Sequence, residues 1–243
     1  MLEMILLGIG VGLLSGFFGI GGGTILVPFL LFLGFETKVA IGISVVQMVF
    51  GSIYGSYLNN KKGTLDIPMV ATIGIGGFAG ALLSGYIVSM VSDSTLEMIF
   101  LFFATFALLR IFIQTKEHKE QKEVSKKILF LIGVVLGAIS MTIGVGGSLI
   151  LVPILVGFLH VPLKQATSAG LFFVVFSSVS GLISHTLSEH IDFQSGIIIG
   201  LASLVGVYIG IYLKHKINVN LQKNLLAGFY FLVVAYLAQR IFL

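Results

Sequence analysis

The sequence predicts an all-α polytopic membrane protein built from two inverted repeats, and three observations carry that reading. The 243 residues are 57% hydrophobic and only 10% charged, with a mean hydropathy of +1.10, whereas a soluble domain needs about a quarter charged residues to face water. Apolar runs long enough to cross a bilayer recur along the whole length. A glycine–proline skeleton in the first half returns in register in the second. Composition also excludes several classes. With no cysteine, neither a disulfide framework nor a thiolate metal site is available, and no cofactor or metal is expected. The net charge of +4 does not point to nucleic acid, because Lys and Arg sit in short gaps between apolar runs, where cytoplasmic loops collect them. Met1-Leu2-Glu3-Met4 lacks the basic start of a signal peptide, so the first apolar run is read as mature protein.

The first element, 4–35, exceeds thirty residues. As a straight helix it would run to about 48 Å at roughly 1.5 Å per residue, too long for one upright span and short for two. It is interrupted by Gly19-Ile20-Gly21-Gly22-Gly23 and by Pro28, so it is a broken unit. Ordinary spans follow at 39–58, 67–90 and 96–114. The gap that comes next alternates Lys116, Lys119, Lys122, Lys126 and Lys127 with Glu117, Glu120 and Glu123, the pattern of a solvated loop. It divides the chain into a first repeat (1–114), a charged linker (115–127) and a second repeat (128–243). The second repeat opens on another broken unit, 128–160, with Gly144-Val145-Gly146-Gly147 and Pro153, and closes on spans at 165–184, 193–213 and 221–242.

The halves superpose residue on residue. Gly12, Ser15, Gly19, Gly21, Gly22 and Pro28 match Gly137, Ser140, Gly144, Gly146, Gly147 and Pro153 at a constant offset of 125, and one inserted residue later the offset is 126. Equivalent loops differ in charge. Asn59-Asn60-Lys61-Lys62 is basic and its counterpart Thr186 to His190 has no Lys or Arg; Ser92-Asp93-Ser94 is acidic and its counterpart Lys214-His215-Lys216 is basic. Positive loops stay cytoplasmic, so matching loops fall on opposite faces and the repeats are inverted. Inversion needs an odd number of crossings per half, which three spans supply when the broken unit adds an even number, as a re-entrant hairpin or as two short spans; the hairpin is the favoured form. The linker 115–127 is then cytoplasmic and both termini lie outside.

Irregular backbone at membrane depth survives only where protein or a watered cavity satisfies it, and broken helices at a repeat interface are where secondary transporters bind their solute. Helices beginning near Thr24 and Ser148 would aim unpaired amides and positive dipole ends at the gap between them, an anion site. The expected substrate-binding residues are Gly21, Gly22, Gly23, Thr24, Gly146, Gly147 and Ser148. Ser15, Ser140 and Thr142 join them from the preceding helices, and Gln47, Thr167 and Ser168 from the following spans, with Ser44 beside Gln47. Gly19, Pro28, Gly144 and Pro153 are expected at the helix breaks. The glycines around Gly74–Gly80 and Gly200–Gly210 are read as helix-packing positions instead. No Asp, Glu, Lys or Arg lies deep in a span; Glu97 and Arg110 sit near the ends of one, and Asp66 and Asp192 near the starts of others. A coupling ion is therefore expected to be sodium on backbone carbonyls, or a proton carried by the solute. His185 and His190, beside Glu189, read as an exposed loop.

The segment Gly12 to Pro28 and its echo Gly137 to Pro153 share the pattern G-x-G-G-[GS]-x4-P, and resemble the sulfite exporter TauE/SafE family of membrane permeases. The length, the two-fold repeat and the later glycine-rich spans are similar too. The resemblance implies a cell (plasma or inner) membrane permease for sulfur oxyanions, organosulfonates or related small anions. The chain departs from the doubled pattern at Ser148, where the first copy has Gly23, which makes the half-sites inequivalent. The reading is a secondary-type anion transporter working by rocking, with a passive anion channel as the alternative. No enzyme is expected: Ser148 with His185 lacks any nucleophile-elbow or metalloprotease motif. The partners are a small anionic solute, the lipid bilayer and a coupling ion, with no nucleic acid.

Overall fold

The computed structural model describes residues 1–61, 67–112, 124–188, 191–214 and 216–242. Asp66, Glu189, His190, His215 and linker residues 115–123 lie outside the described residues. Among the described residues the chain is helical throughout, with short connections: α1 Leu2–Phe18, α2 Gly23–Phe32, α3 Thr37–Asn60, α4 Ile67–Ala81, α5 Ser84–Met90, α6 Asp93–Phe112, α7 Lys126–Thr142, α8 Ser148–Gly157, α9 Leu163–Leu187, α10 Phe193–Lys214 and α11 Val219–Phe242. Six spans are long and apolar enough to cross a membrane: Thr37–Asn60, Pro68–Met90, Asp93–Ile111, Gln165–Leu187, Phe193–Lys214 and Leu221–Phe242. The second of these is α4 and α5 joined by a turn at Leu82 and Leu83. Large apolar side chains such as Phe102, Leu109, Phe231 and Leu232 are exposed on the outside, a surface suited to lipid and not to water.

Each long broken unit is two helices joined by a glycine turn. Helix α1 stops at Gly19, whose φ of 71° is left-handed, and its amide closes on the Ser15 carbonyl at 2.8 Å. Gly21 follows at φ 77°, and the second turn repeats the pair with Gly144 at 67° and Gly146 at 70°. L side chains are disfavoured in this region by roughly 1–2 kcal/mol per residue, so glycine is required at these four matched positions. The prolines lie elsewhere. Pro28 and Pro153 sit inside α2 and α8, not at the breaks where the sequence reading put them. By the time the chain reaches either proline, the glycines have already ended the previous helix and a new one has begun. Each ring then removes one hydrogen bond within its own short helix.

Small residues set the packing. Along α1, a Cβ at Gly8, Gly12 or Gly16 would overlap the carbonyls of Ile199, Ser203 and Val207 on α10. The two helices therefore rise together, in parallel. Along α7, Gly133 and Gly137 stand in the same way against the carbonyls of Ile73 and Gly77 on α4. The first helix of each broken unit thus leans on a helix of the other half. Without a hydrophobic drive between helices in lipid, such close backbone approach is what associates them.

One charged cluster ties four helix ends together. The guanidinium Nε of Arg240 lies 3.1 Å from Glu97 Oε1, and Thr37 Oγ1 donates to the same oxygen at 2.6 Å. Arg240 Nη1 also donates to the Leu31 carbonyl at 3.0 Å, where α2 ends and a cation is favoured. Glu97, near the end of its span by sequence, is only 7% exposed and is enclosed by α3 and α11. Arg240→Met is expected to lower stability by on the order of 2 kcal/mol, between an exposed pair worth almost nothing and a buried one whose rupture costs 3–5 kcal/mol. Thermal unfolding in detergent measures it, and a melting point equal to the parent's would make the pair ornamental.

Candidate functional site

The two glycine turns meet. Thr24, one residue into α2, donates its hydroxyl to the Val145 carbonyl at 3.0 Å. Ser148, which opens α8, donates to the Ile20 carbonyl at 2.6 Å. Ile20 and Val145 are the same position of the two repeats, so each turn donates to the matched carbonyl of the other, from donors one position apart in register. Ser44 on α3 adds a third, donating to Gly144 O at 2.7 Å. The junction is sealed: Thr24, Gln47 and Ser148 are each 0% exposed.

Helix beginnings converge at this junction. The amides of Gly22, Gly23 and Thr24 meet no acceptor among the described residues, the first capped bonds of α2 being those of Ile25 and Leu26 to the Gly22 carbonyl. On the other side Ser148 N turns onto Gly146 O, and Ile150 and Leu151 bond to Gly147 O. A helix start with spare amides carries partial positive charge.

The half-sites also differ at the residue pair Gln47 and Phe173. Gln47 on α3 lies against Gly22, so closely that a Cβ there would overlap its amide. Its Nε2 donates to Ser203 Oγ at 3.2 Å, while Ser203 Oγ donates to Gly200 O at 2.7 Å. At the matched place in the second half, the ring of Phe173 lies against Gly147 and Gly77. One turn is lined by an amide, the other by a phenyl ring.

Of the residues expected from sequence, Gly21, Gly22, Gly23, Thr24, Gln47, Gly146, Gly147 and Ser148 come together here. Gly19 and Gly144 flank them. Ser15 and Ser140 sit one turn back, where their carbonyls accept the amides of Gly19 and Val145; the Ser140 hydroxyl is buried without a partner among the described residues. Thr142 bonds back to Ala138 O in its own helix at 2.8 Å. Thr167, on the first turns of α9, stands beside Gly19, with Ser168 buried next to it. His185 departs from expectation. It is 0% exposed and inside α9, with Nε2 3.1 Å from the Met141 carbonyl. The helix continues past the apolar run to Leu187, and the ring turns onto the last turn of α7, whose carbonyls need donors. Ser148 and His185 therefore hold separate carbonyls and form no nucleophile–base pair. Sequence reasoning missed Ser203 and Phe173, which only their neighbours across the repeat make significant.

The family model of the sulfite exporter TauE/SafE matches residues 4–237, covering both glycine turns and most of the last span. The chain belongs to the sulfite exporter TauE/SafE family. It is thus a multi-pass membrane protein of a transporter family and not an enzyme. It is 24% identical to "Probable membrane transporter protein YunE" of Bacillus subtilis, over 90% of this chain and 89% of that one. It is 26% identical to a "Probable membrane transporter protein" of Methanocaldococcus jannaschii, over 88% of this chain and 86% of the other. No solved structure matches the chain.

Proposed function

We propose that this TauE/SafE-family chain is a secondary transporter of a small anion, a sulfur oxyanion or an organosulfonate, that holds its solute where the two glycine turns meet. The observation that carries the reading is the junction itself, two helix starts with spare amides brought together inside the protein. The reciprocal Thr24 and Ser148 bonds close it. Both hydroxyls turn to the solute when the turns part. A sealed junction favours a carrier over a passive channel.

Helix register supports inverted repeats. Gly196 and Gly200 stand against Val46 and Phe50, so α3 runs with α10. Ser180 and Ser184 donate to the carbonyls of Phe78 and Leu82, so α9 runs with α4. Gly55 of α3 meets Leu171 of α9. Were α9 to run in the same direction as α3 and α10, Leu187 and Phe193 would stand about 40 Å apart. The chain between them reaches about 20 Å at most. That arithmetic favours α9 opposing α3, with re-entrant hairpins, a cytoplasmic linker 115–127 and both termini outside.

Flux of sulfite and methanesulfonate into proteoliposomes tests the site. Gly22→Ala drives a methyl into the Gln47 amide, and flux is expected to fall at least tenfold. Gly10→Ala, whose methyl would meet nothing within 4 Å, is expected to transport normally. Equal flux in the two folded variants would count against the site.

A further inference from the structure

One acceptor at the junction has no donor. Gln47 Oε1 is buried, and no hydrogen-bond partner reaches it among the described residues. Its orientation is set by the next residue along. Ser203 spends its hydroxyl hydrogen on the Gly200 carbonyl, so its oxygen can only accept, and the amide nitrogen of Gln47 must face it. The carbonyl end is thereby turned to Gly22, at the start of α2. A buried acceptor left without a donor is costly, because it gives up water and gains nothing in return.

Two kinds of ligand would satisfy that oxygen: a cation, or a molecule bringing its own hydrogen. The neighbouring amides of Gly22, Gly23 and Thr24 decide between them. They open α2 at the residue Gln47 Oε1 lies against, and the positive end of a helix start with spare amides disfavours a bare cation and favours an anion. A fully deprotonated anion satisfies the amides and repels Oε1. An anion still carrying one O–H satisfies both. We infer that the species held at the first glycine turn is a monoprotonated oxyanion, its charged oxygens on the α2 amides and its O–H donated to Gln47 Oε1. This rests on the anion-transporter reading and narrows it: a sulfonate group has no O–H to give, so the first turn favours an oxyanion that keeps one proton, such as hydrogensulfite, over an organosulfonate, and no protein carboxylate is needed to carry the proton. The second turn, with Phe173 in place of Gln47, makes no such demand.

Methylphosphonate monoanion and methanesulfonate separate the possibilities, since they share shape and charge and differ in one O–H. Titration calorimetry on the purified protein, at a pH where methylphosphonate is singly charged, is expected to show it bound at least tenfold tighter than methanesulfonate. In Gln47→Met the two should bind within about twofold. Ser203→Ala, which frees the amide to turn its nitrogen toward the ligand, should also shrink the preference, and serves if Gln47→Met does not fold. Equal binding in the parent, or a preference undiminished in a folded variant, would overturn the inference while leaving the anion site standing. Binding that requires sodium and loses that requirement in Gln47→Met would overturn it in favour of a cation. Binding of neither anion would remove the anion-site reading beneath it.

Discussion

Gly12→Val is expected to melt well below the parent, while Gly10→Val, two residues away, should melt close to it. The contrast comes from what each side chain would meet. At Gly10 there is open space, and at Gly12 there is the carbonyl of Ser203, with that residue's Cα close behind. A flexible side chain could rotate away from a new methyl; a helix backbone cannot. Helix α1 would have to back off from α10, and the contacts at Gly8, Gly16, Gly206 and Gly210 would open with it. Overpacking a fitted site costs typically 1–3 kcal/mol and more when backbone must move. For a chain of this length, 3 kcal/mol corresponds to about 6–12 °C in melting point. Gly137→Val should behave alike, because its methyl would overlap the Gly77 carbonyl on α4. Size-exclusion profiles after graded heating measure all three variants. Indistinguishable melting of Gly12→Val and Gly10→Val would mean that the close approach of α1 and α10 contributes nothing.

Much of this architecture is legible in the sequence because membrane helices obey local rules. The six spans read from hydropathy lie within a few residues of the helices, since lipid demands about twenty apolar residues whatever the neighbours do. The glycine turns are legible for a similar reason: four left-handed residues need four glycines, and Gly19, Gly21, Gly144 and Gly146 stand at matched positions. Where the neighbours decide, sequence alone falls short. Pro28 suggests a break by its chemistry, yet the helix had already been restarted at Gly23. His185 suggests a loop because Glu189 follows it, yet a donor was wanted on the Met141 carbonyl. Glu97 and Arg240 are 143 residues apart, and no local pattern links them. The orphan end of Gln47 is a still longer inference, since it depends on which hydrogen Ser203 gives away.

Cysteines introduced at Lys61, Lys126 and Lys216 are expected to react with a membrane-impermeant maleimide only from the cytoplasmic face, and one at Ser94 only from the other. The chain has no cysteine of its own, so each variant carries a single thiol, and all four positions are exposed. Lys61 lies over the Tyr57 ring at 4.6 Å and Lys216 over Tyr212 at 4.5 Å. A tyrosine with a lysine four residues on is a pairing suited to the membrane interface, and here it recurs at the end of α3 and just after α10. Those helices lie side by side in the same direction, so their lysines emerge on one face. Had each broken unit been a single kinked crossing, the repeats would be parallel and Lys216 would emerge opposite Lys61. The two arrangements predict near-complete against near-absent labelling of Lys216→Cys from the cytoplasmic side. Labelling of that thiol from outside, with Lys61→Cys labelled from within, would place the glycine turns on parallel repeats and deprive the anion of its facing helix starts.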